Sequence, residues 1–206
     1  MVKKNSLVKL KQKERQLRQA LIIDAAREVF SNKTYDRVSM AEIAGTAGIA
    51  KSSIYTYFKS QEELYAKIAC LDSAVFISEL KKKIETGASD PVETAVDAFL
   101  DYYIENKSQW RMITHFALHG NRDMASVEQL NIVGRDLMDL FETIFIKAGC
   151  KEETRLMSHT LFSCLSGVLI AFRNYPGREE QERVTHMKRI GRRISDMIRA
   201  FTRTAQ

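Results

Sequence analysis

Residues 39–58 read SMAEIAGTAGIAKSSIYTYF. Met40, Ile43, Ala44 and Ala47 recur at the 3–4 residue spacing of one helix face, so this segment reads as a short amphipathic helix. Ser39 stands just before that face, where its hydroxyl can accept from a first-turn amide. Glu42, three residues on, completes the pattern of a capping box. Gly48 follows Ala47 and suits the bend after a helix, because without a Cβ it reaches positive φ. Ile49 returns to the core, and a second helix is expected from about Ala50. On it Ala50, Ile54 and Tyr57 point inward, while Lys51, Ser52, Tyr55 and Thr56 point outward. The outward face offers a cation, hydroxyls and a phenol and carries no acid, which suits base edges and phosphates. Two helices with a glycine turn form a helix-turn-helix, whose second helix enters a major groove. The plain alternative is a structural αα-hairpin.

The flanks favour the first reading. A helix is expected near Glu14–Asn32, with Leu21, Ile22, Ala25, Ala26, Val29 and Phe30 as its buried stripe. Directly after the pair comes FKSQEELY (58–65), in which Ser60 caps a further helix and Glu62 and Glu63 suit its positive N-terminal end. From about Arg15 to Ile68 the chain resembles the TetR family of bacterial repressors, carried by Ile43-Ala44, Ala47-Gly48, Tyr55, Phe58 and Leu64 in register. Two positions depart from the family pattern. Ser39 replaces a frequent threonine, and Gln61 replaces a frequent lysine, removing a phosphate-pairing cation for which Lys59 is a substitute.

The resemblance implies an all-α protein with a three-helix DNA-binding domain and a C-terminal helical domain for effector binding and dimerisation. We expect a basic tail over residues 1–14, the DNA-binding domain over 15–75 and the effector and dimerisation domain over 76–206. Lys51, Ser52 and Tyr55 are assigned to the major groove, and Ser39, Tyr57 and Lys59 to phosphates. Met40 and Ser53 complete the DNA-binding set, and Arg15 and Arg18 stand near enough to the backbone to help.

Beyond residue 60 the chain reads as helices throughout. The long fourth one is the expected connector, stopped near Gly87; Asp90-Pro91 opens a fifth and Ser108 caps a sixth. A seventh is expected near Ala125–Ala148. Residues 152–174 are apolar around almost the whole circumference, which demands cover on all sides. Val184, Met187, Gly191, Ile194, Ile198 and Phe201 trace a narrow seam on the last helix, whose Lys188, Arg189, Arg192, Arg193 and Arg199 read as a solvated face. In the resemblance these last two helices and their copies form a four-helix bundle between subunits, so a homodimer is expected.

The 206 residues include 32 Lys/Arg against 26 Asp/Glu, a net charge of +6. Residues 1–60 alone hold 12 cations and 5 acids, so the whole excess lies beside the helix-turn-helix, as expected where one end meets a polyanion. Lys3, Lys4, Lys9, Lys11 and Lys13 read either as a solvated tail or as an arm on DNA. No run of 18 uninterrupted apolar residues and no apolar signal core occurs, so a cytosolic protein without a membrane span is expected. Cys70, Cys150 and Cys164 read as reduced thiols, with a redox switch as the minority reading.

No nucleophile elbow, phosphate loop or dinucleotide glycine pattern is present, so neither an enzyme nor a cofactor is expected. His115 and His119, with Asp123 beyond, have metal-like spacing but no intervening glutamate; no metal is expected. Trp110, His115, Phe116, Phe141, Phe145 and Phe162 read as core aromatics or as the wall of an effector cavity, with His115 or Arg111 supplying a polar contact. The expected function is a transcriptional regulator, a repressor released from a palindromic operator by a small lipophilic or aromatic effector. The alternative is a DNA-binding protein of chromosome or division organisation acting through a protein partner.

Overall fold

The computed structural model describes residues 2–119 and 124–204, the side chains of residues 2–6, 124–126 and 203–204 excepted. The described residues form nine α-helices and no strand. In order they are α1 (Val2–Asn32), α2 (Met40–Thr46), α3 (Lys51–Ile54), α4 (Gln61–Glu85), α5 (Pro91–Glu105), α6 (Lys107–His119), α7 (Met124–Lys147), α8 (Thr154–Phe172) and α9 (Glu180–Thr204). A single 3-10 turn, Tyr35–Arg37, separates α1 from α2. The chain divides into two compact units: Met1–Cys70 with Arg111–Gln129, and Leu71–Trp110 with Leu130–Gln206.

The first unit is built on α1. Ile22, Ala26, Val29 and Phe30 are buried there, as are Ile43 and Ala44 of α2, Ile54 of α3, and Leu64, Tyr65 and Ile68 of α4. Helix α1 starts at Val2, well ahead of the expected Glu14. Residues 7–18 are exposed throughout, so burial does not order them. Lys, Gln, Leu and Arg lose little rotamer freedom in a helix, and neither Gly nor Pro interrupts the run.

The second unit is organised by α5 and α9, which lie side by side. Met187, Gly191, Ser195, Ile198 and Thr202 form the buried row of α9. A Cβ on Gly191 would stand 2.5 Å from Leu100 Cδ1 and 3.1 Å from Val96 Cγ1, so only glycine lets the two helices approach this closely. Part of the expected seam therefore packs inside the protomer. Part of the expected solvated face makes ion pairs to α5 at the half-exposed margin: Lys188 with Asp101 at 2.7 Å, and Arg199 with Asp90 at 2.6 Å and Glu93 at 3.1 Å. Asp90 also caps α5, accepting from the Val92 and Glu93 amides at 3.0 and 2.9 Å.

Helix α8 buries Leu161, Leu165, Val168 and Leu169 but leaves Leu156 and Ile170 more than half exposed, so the protomer covers only one of its faces. By length and composition α8 is apolar enough to cross a membrane, although no uninterrupted apolar run of that length exists; core helices of water-soluble proteins share this property.

Candidate nucleic-acid interface

Local chemistry builds the helix-turn-helix. Ser39 Oγ accepts from the Glu42 amide at 3.2 Å and so caps α2. The capping box is half formed, because the Glu42 carboxylate turns instead to Lys33 Nζ at 2.5 Å and ties the end of α1 to α2. At the other end of α2, Ile49 N donates to Ala44 O at 2.9 Å and Gly48 N to Gly45 O at 3.1 Å. This paired pattern closes a helix around a left-handed residue, and Gly48 has φ +67°. Helix α3 is a single α-turn. Its carbonyls are then taken up by tighter bonds, Thr56 N to Ser53 O and Tyr57 N to Ile54 O, which carry the coil on to Phe58.

The two faces divide mostly as the spacing predicts. Ile54 is fully buried, while Lys51, Ser52, Tyr55, Thr56 and Lys59 are exposed; Ser53 and Tyr57 are half-buried. Ala50 departs from the spacing, and Met40 from its place in the DNA-binding set. Ala50 is exposed, because it is the N-cap of α3 rather than part of its inner face. Met40 is only 6% exposed, so its side chain belongs to the core; only its backbone can face DNA. Ser39 is exposed, with its oxygen engaged in the cap. Arg15 lies beside this surface, its guanidinium 6.0 Å from the Tyr57 ring centroid and 3.4 Å from Thr56 O. Arg18 pairs with Glu14 at 2.8 Å.

Supporting contacts, two of them local and the rest between residues far apart in sequence, hold this surface. Ser60 Oγ accepts from the Glu63 amide at 3.0 Å and so caps α4, while Glu63 Oε2 accepts from the amide of Lys59, one residue before the cap, at 2.6 Å. Gln61, where the family pattern has a cation, donates to Tyr35 O at 2.8 Å. Arg111 donates to Phe30 O at 3.0 Å and Ser31 O at 2.9 Å, capping the C-terminus of α1. Only the Ser60–Glu63 spacing was available as a local signal.

The six aromatic and histidine candidates fall into different units. His115 and Phe116 belong with the DNA-facing elements: the His115 ring lies 4.2 Å from Tyr35 and 5.4 Å from Tyr65, and Phe116 lies 5.6 Å from Tyr65. Burial, and then the neighbouring His119, holds the His115 pKa below its ordinary value. His119 stacks on His115 at 4.7 Å. Among the described residues no group of three or more potential ligands gathers that could hold a metal, and Asp123 lies outside the described residues. In the second unit Trp110, Phe141 and Phe162 surround Phe99 at 6.1, 6.5 and 6.1 Å. Phe141 and Phe145 are fully buried, Trp110 is nearly so, and Phe162 is half-buried.

Comparison with known proteins adds the family. The family described as "Bacterial regulatory proteins, tetR family" matches residues 22–68. The HTH-type transcriptional activator FasR of Mycolicibacterium smegmatis is 30% identical over 98 residues, 47% of this chain and 45% of that protein. The Fatty acid metabolism regulator protein of Bacillus subtilis is 30% identical over 112 residues, 54% of this chain and 50% of that protein. The chain thus spans about half the length of the curated relatives it matches. The crystal structure of the transcriptional regulator FadR from Bacillus subtilis, in complex with stearoyl-CoA, aligns with a TM-score of 0.67 at 19% identity, covering 84% of this chain and 95% of that one. At that identity the likeness is one of fold. Residues 22–68 thus carry both the helix-turn-helix geometry and the match to the tetR family of bacterial regulatory proteins.

Proposed function

We propose that the chain is a dimeric, ligand-responsive repressor that reads a palindromic operator. The acid-free exposed surface of Lys51, Ser52, Tyr55, Thr56 and Lys59, beside Arg15, carries this reading. Lys51, Ser52 and Tyr55 enter the major groove, while Ser39, Tyr57 and Lys59 lie at phosphates, with Ser53 alongside. A single α-turn contacts too few bases for a tight site, so two copies on a two-fold axis read half-sites roughly 34–36 Å apart or a multiple of that. The exposed apolar residues Leu156 and Ile170 of α8 and Met197 of α9 support pairing through these two helices.

The effector in this reading is lipophilic. The relatives named as fatty acid regulators, and a fold neighbour that holds stearoyl-CoA, support a long-chain acyl group. Its place is the aromatic cluster that Phe99 forms with Trp110, Phe141 and Phe162, where a chain must displace packed rings to enter.

Genomic fragments retained by the purified protein supply an operator, on which wild type and the Lys51→Ala/Tyr55→Ala variant are compared. Each base-contacting residue removed costs about 1–3 kcal/mol and relaxes specificity. Unchanged operator affinity in the double variant refutes the assignment. Release of the wild-type protein from its operator by palmitoyl-CoA, and not by free CoA, tests the effector.

A further inference from the structure

The N-terminal half of α1 carries a row of side chains that neither the core nor the DNA-facing turn uses. Leu7, Leu10, Leu17 and Leu21 are 60%, 63%, 66% and 58% exposed. With Glu14 between them they step by 3, 4, 3 and 4 residues, the heptad spacing of a helix–helix seam. At about 100° per residue they share an arc of about 80°. Lys11 and Arg18 follow the Leu10 and Leu17 positions directly, and Lys13 flanks the row on its other side. Residues 7–21 hold five cations and one acid.

This charge pattern selects the occupant. A second copy of α1 would bring Lys11 and Arg18 opposite Lys13, setting like charges beside the seam. Duplex DNA would neutralise the cations but offers leucine nothing apolar. An anionic bilayer favours a broad apolar sector, and the arc here is narrower than the roughly 100° stripe of an ordinary amphipathic helix. An acidic amphipathic helix satisfies both halves of the pattern: its leucines or isoleucines fill the seam and its flanking carboxylates meet Lys11, Lys13 and Arg18.

We propose that residues 7–21 of α1 form a docking surface for an acidic amphipathic helix of a second protein. Such a partner meets the regulator on a surface distinct from Lys51, Ser52 and Tyr55, so docking does not depend on the operator reading proposed above.

The test uses the full-length protein and a fluorescein-labelled synthetic peptide of three heptads, with Leu or Ile at the seam positions and Glu at the flanking ones. Anisotropy at about 0.15 M salt should show saturable binding. A scrambled peptide of the same composition should bind at least tenfold more weakly. The Leu10→Ser/Leu17→Ser variant should lose at least tenfold in peptide affinity while keeping the wild-type melting temperature and operator affinity. If that variant does not fold, Lys11→Glu/Lys13→Glu decides: it should reject the acidic peptide and bind one with Lys at the flanking positions. Equal binding of ordered and scrambled peptides overturns the proposal. So does undiminished binding by the leucine variant, or a charge-reversed variant with unchanged preference. Tighter binding to phosphatidylglycerol vesicles than to the peptide assigns the surface to lipid instead. Self-association beyond a dimer that the leucine variant abolishes assigns it to a second copy.

Discussion

Gly48 sets the angle between α2 and α3, and its replacement isolates one physical term. The residue has φ +67°, and a Cβ built on it meets nothing within 4 Å. Substitution therefore adds no clash, and the cost is that of holding an L-residue in the left-handed region, about 1–2 kcal/mol for alanine. Asparagine visits that region more readily, so Gly48→Asn should cost less, whereas the β-branched Gly48→Val should cost more. For a chain of this size, 1 kcal/mol moves the melting temperature by about 2–4 °C. Circular dichroism with urea titration should thus order the variants Gly, Asn, Ala, Val at an unchanged m-value. Operator affinity should follow the same order, because part of the strain is relieved by rotating α3 away from the orientation that the Ala44–Ile49 bond fixes at 2.9 Å. An alanine variant as stable as wild type, or asparagine as costly as valine, refutes the conformational account.

Other substitutions test the second unit. Gly191→Ala should destabilise by about 1–3 kcal/mol, less the roughly 1 kcal/mol of helix propensity gained, because Leu100 is fully buried and cannot swing clear. Gly134→Ala, on α7 with open space around it, should stabilise by about 0.5–1 kcal/mol, and urea midpoints of opposite sign check the pair. Burial alone would raise the Asp90 pKa, but the Glu93 amide, the Arg199 guanidinium and the Val92 amide together hold it below the usual carboxylate value. The native state thus favours ionised Asp90, whose contribution is present above the ordinary value of 3.8 and lost as pH falls through its lowered native value. Asp90→Asn keeps a good cap, so its melting-temperature deficit at pH 7 should report the ion pair and should close in acid; a pH-independent deficit contradicts this. Met197→Glu, at a residue 71% exposed, should leave the protomer folded while sedimentation shows monomers and operator binding falls; a stable dimer of that variant places the subunit interface elsewhere.

The parts of this molecule legible in its sequence are those made by neighbours along the chain. Ser39 and Glu42, Ala47 and Gly48, and Ser60 and Glu63 are three residues apart or fewer, so capping and turn chemistry pointed to them directly. The DNA-binding set takes in Met40 beside its neighbour Ser39, although its apolar side chain and place on the Ile43–Ala44 face demand burial, which the structure shows. The last helix is legible only in part for a related reason. Periodicity finds an apolar row but not what covers it, so a seam shared with α5 looks the same as one shared with another subunit. The Arg111 and Gln61 contacts join residues 80 or 81 and 26 positions apart, and no spacing rule reaches them.

The Gln61 contact reaches the segment just ahead of α2, and the Arg111 contacts hold the end of α1 that leads into it. The Tyr35 ring lies parallel to Phe30 at 6.4 Å and tilted against Tyr65 at 4.9 Å and His115 at 4.2 Å, and its carbonyl accepts from Gln61. Three residues beyond Tyr35, Val38 is buried, and Ser39 then caps α2. The end of α1, the start of α4 and the C-terminal half of α6 therefore all bear on where α2 begins. Each aromatic pair contributes about 0.5–1.5 kcal/mol beyond its buried area, and each hydrogen bond from a charged group such as Arg111 about 1.5–3 kcal/mol when well shielded. Arg111 is exposed, so its two bonds lie at the low end. The hold of α6 on the end of α1 and this segment together is then a few kcal/mol, comparable with the 1–3 kcal/mol by which one bound ligand commonly changes the affinity for another. A much stronger hold would leave α2 unresponsive to α6, and a much weaker one would leave it unordered. Loosening the hold through His115→Ala should therefore alter operator affinity more than it alters the folding of the second unit.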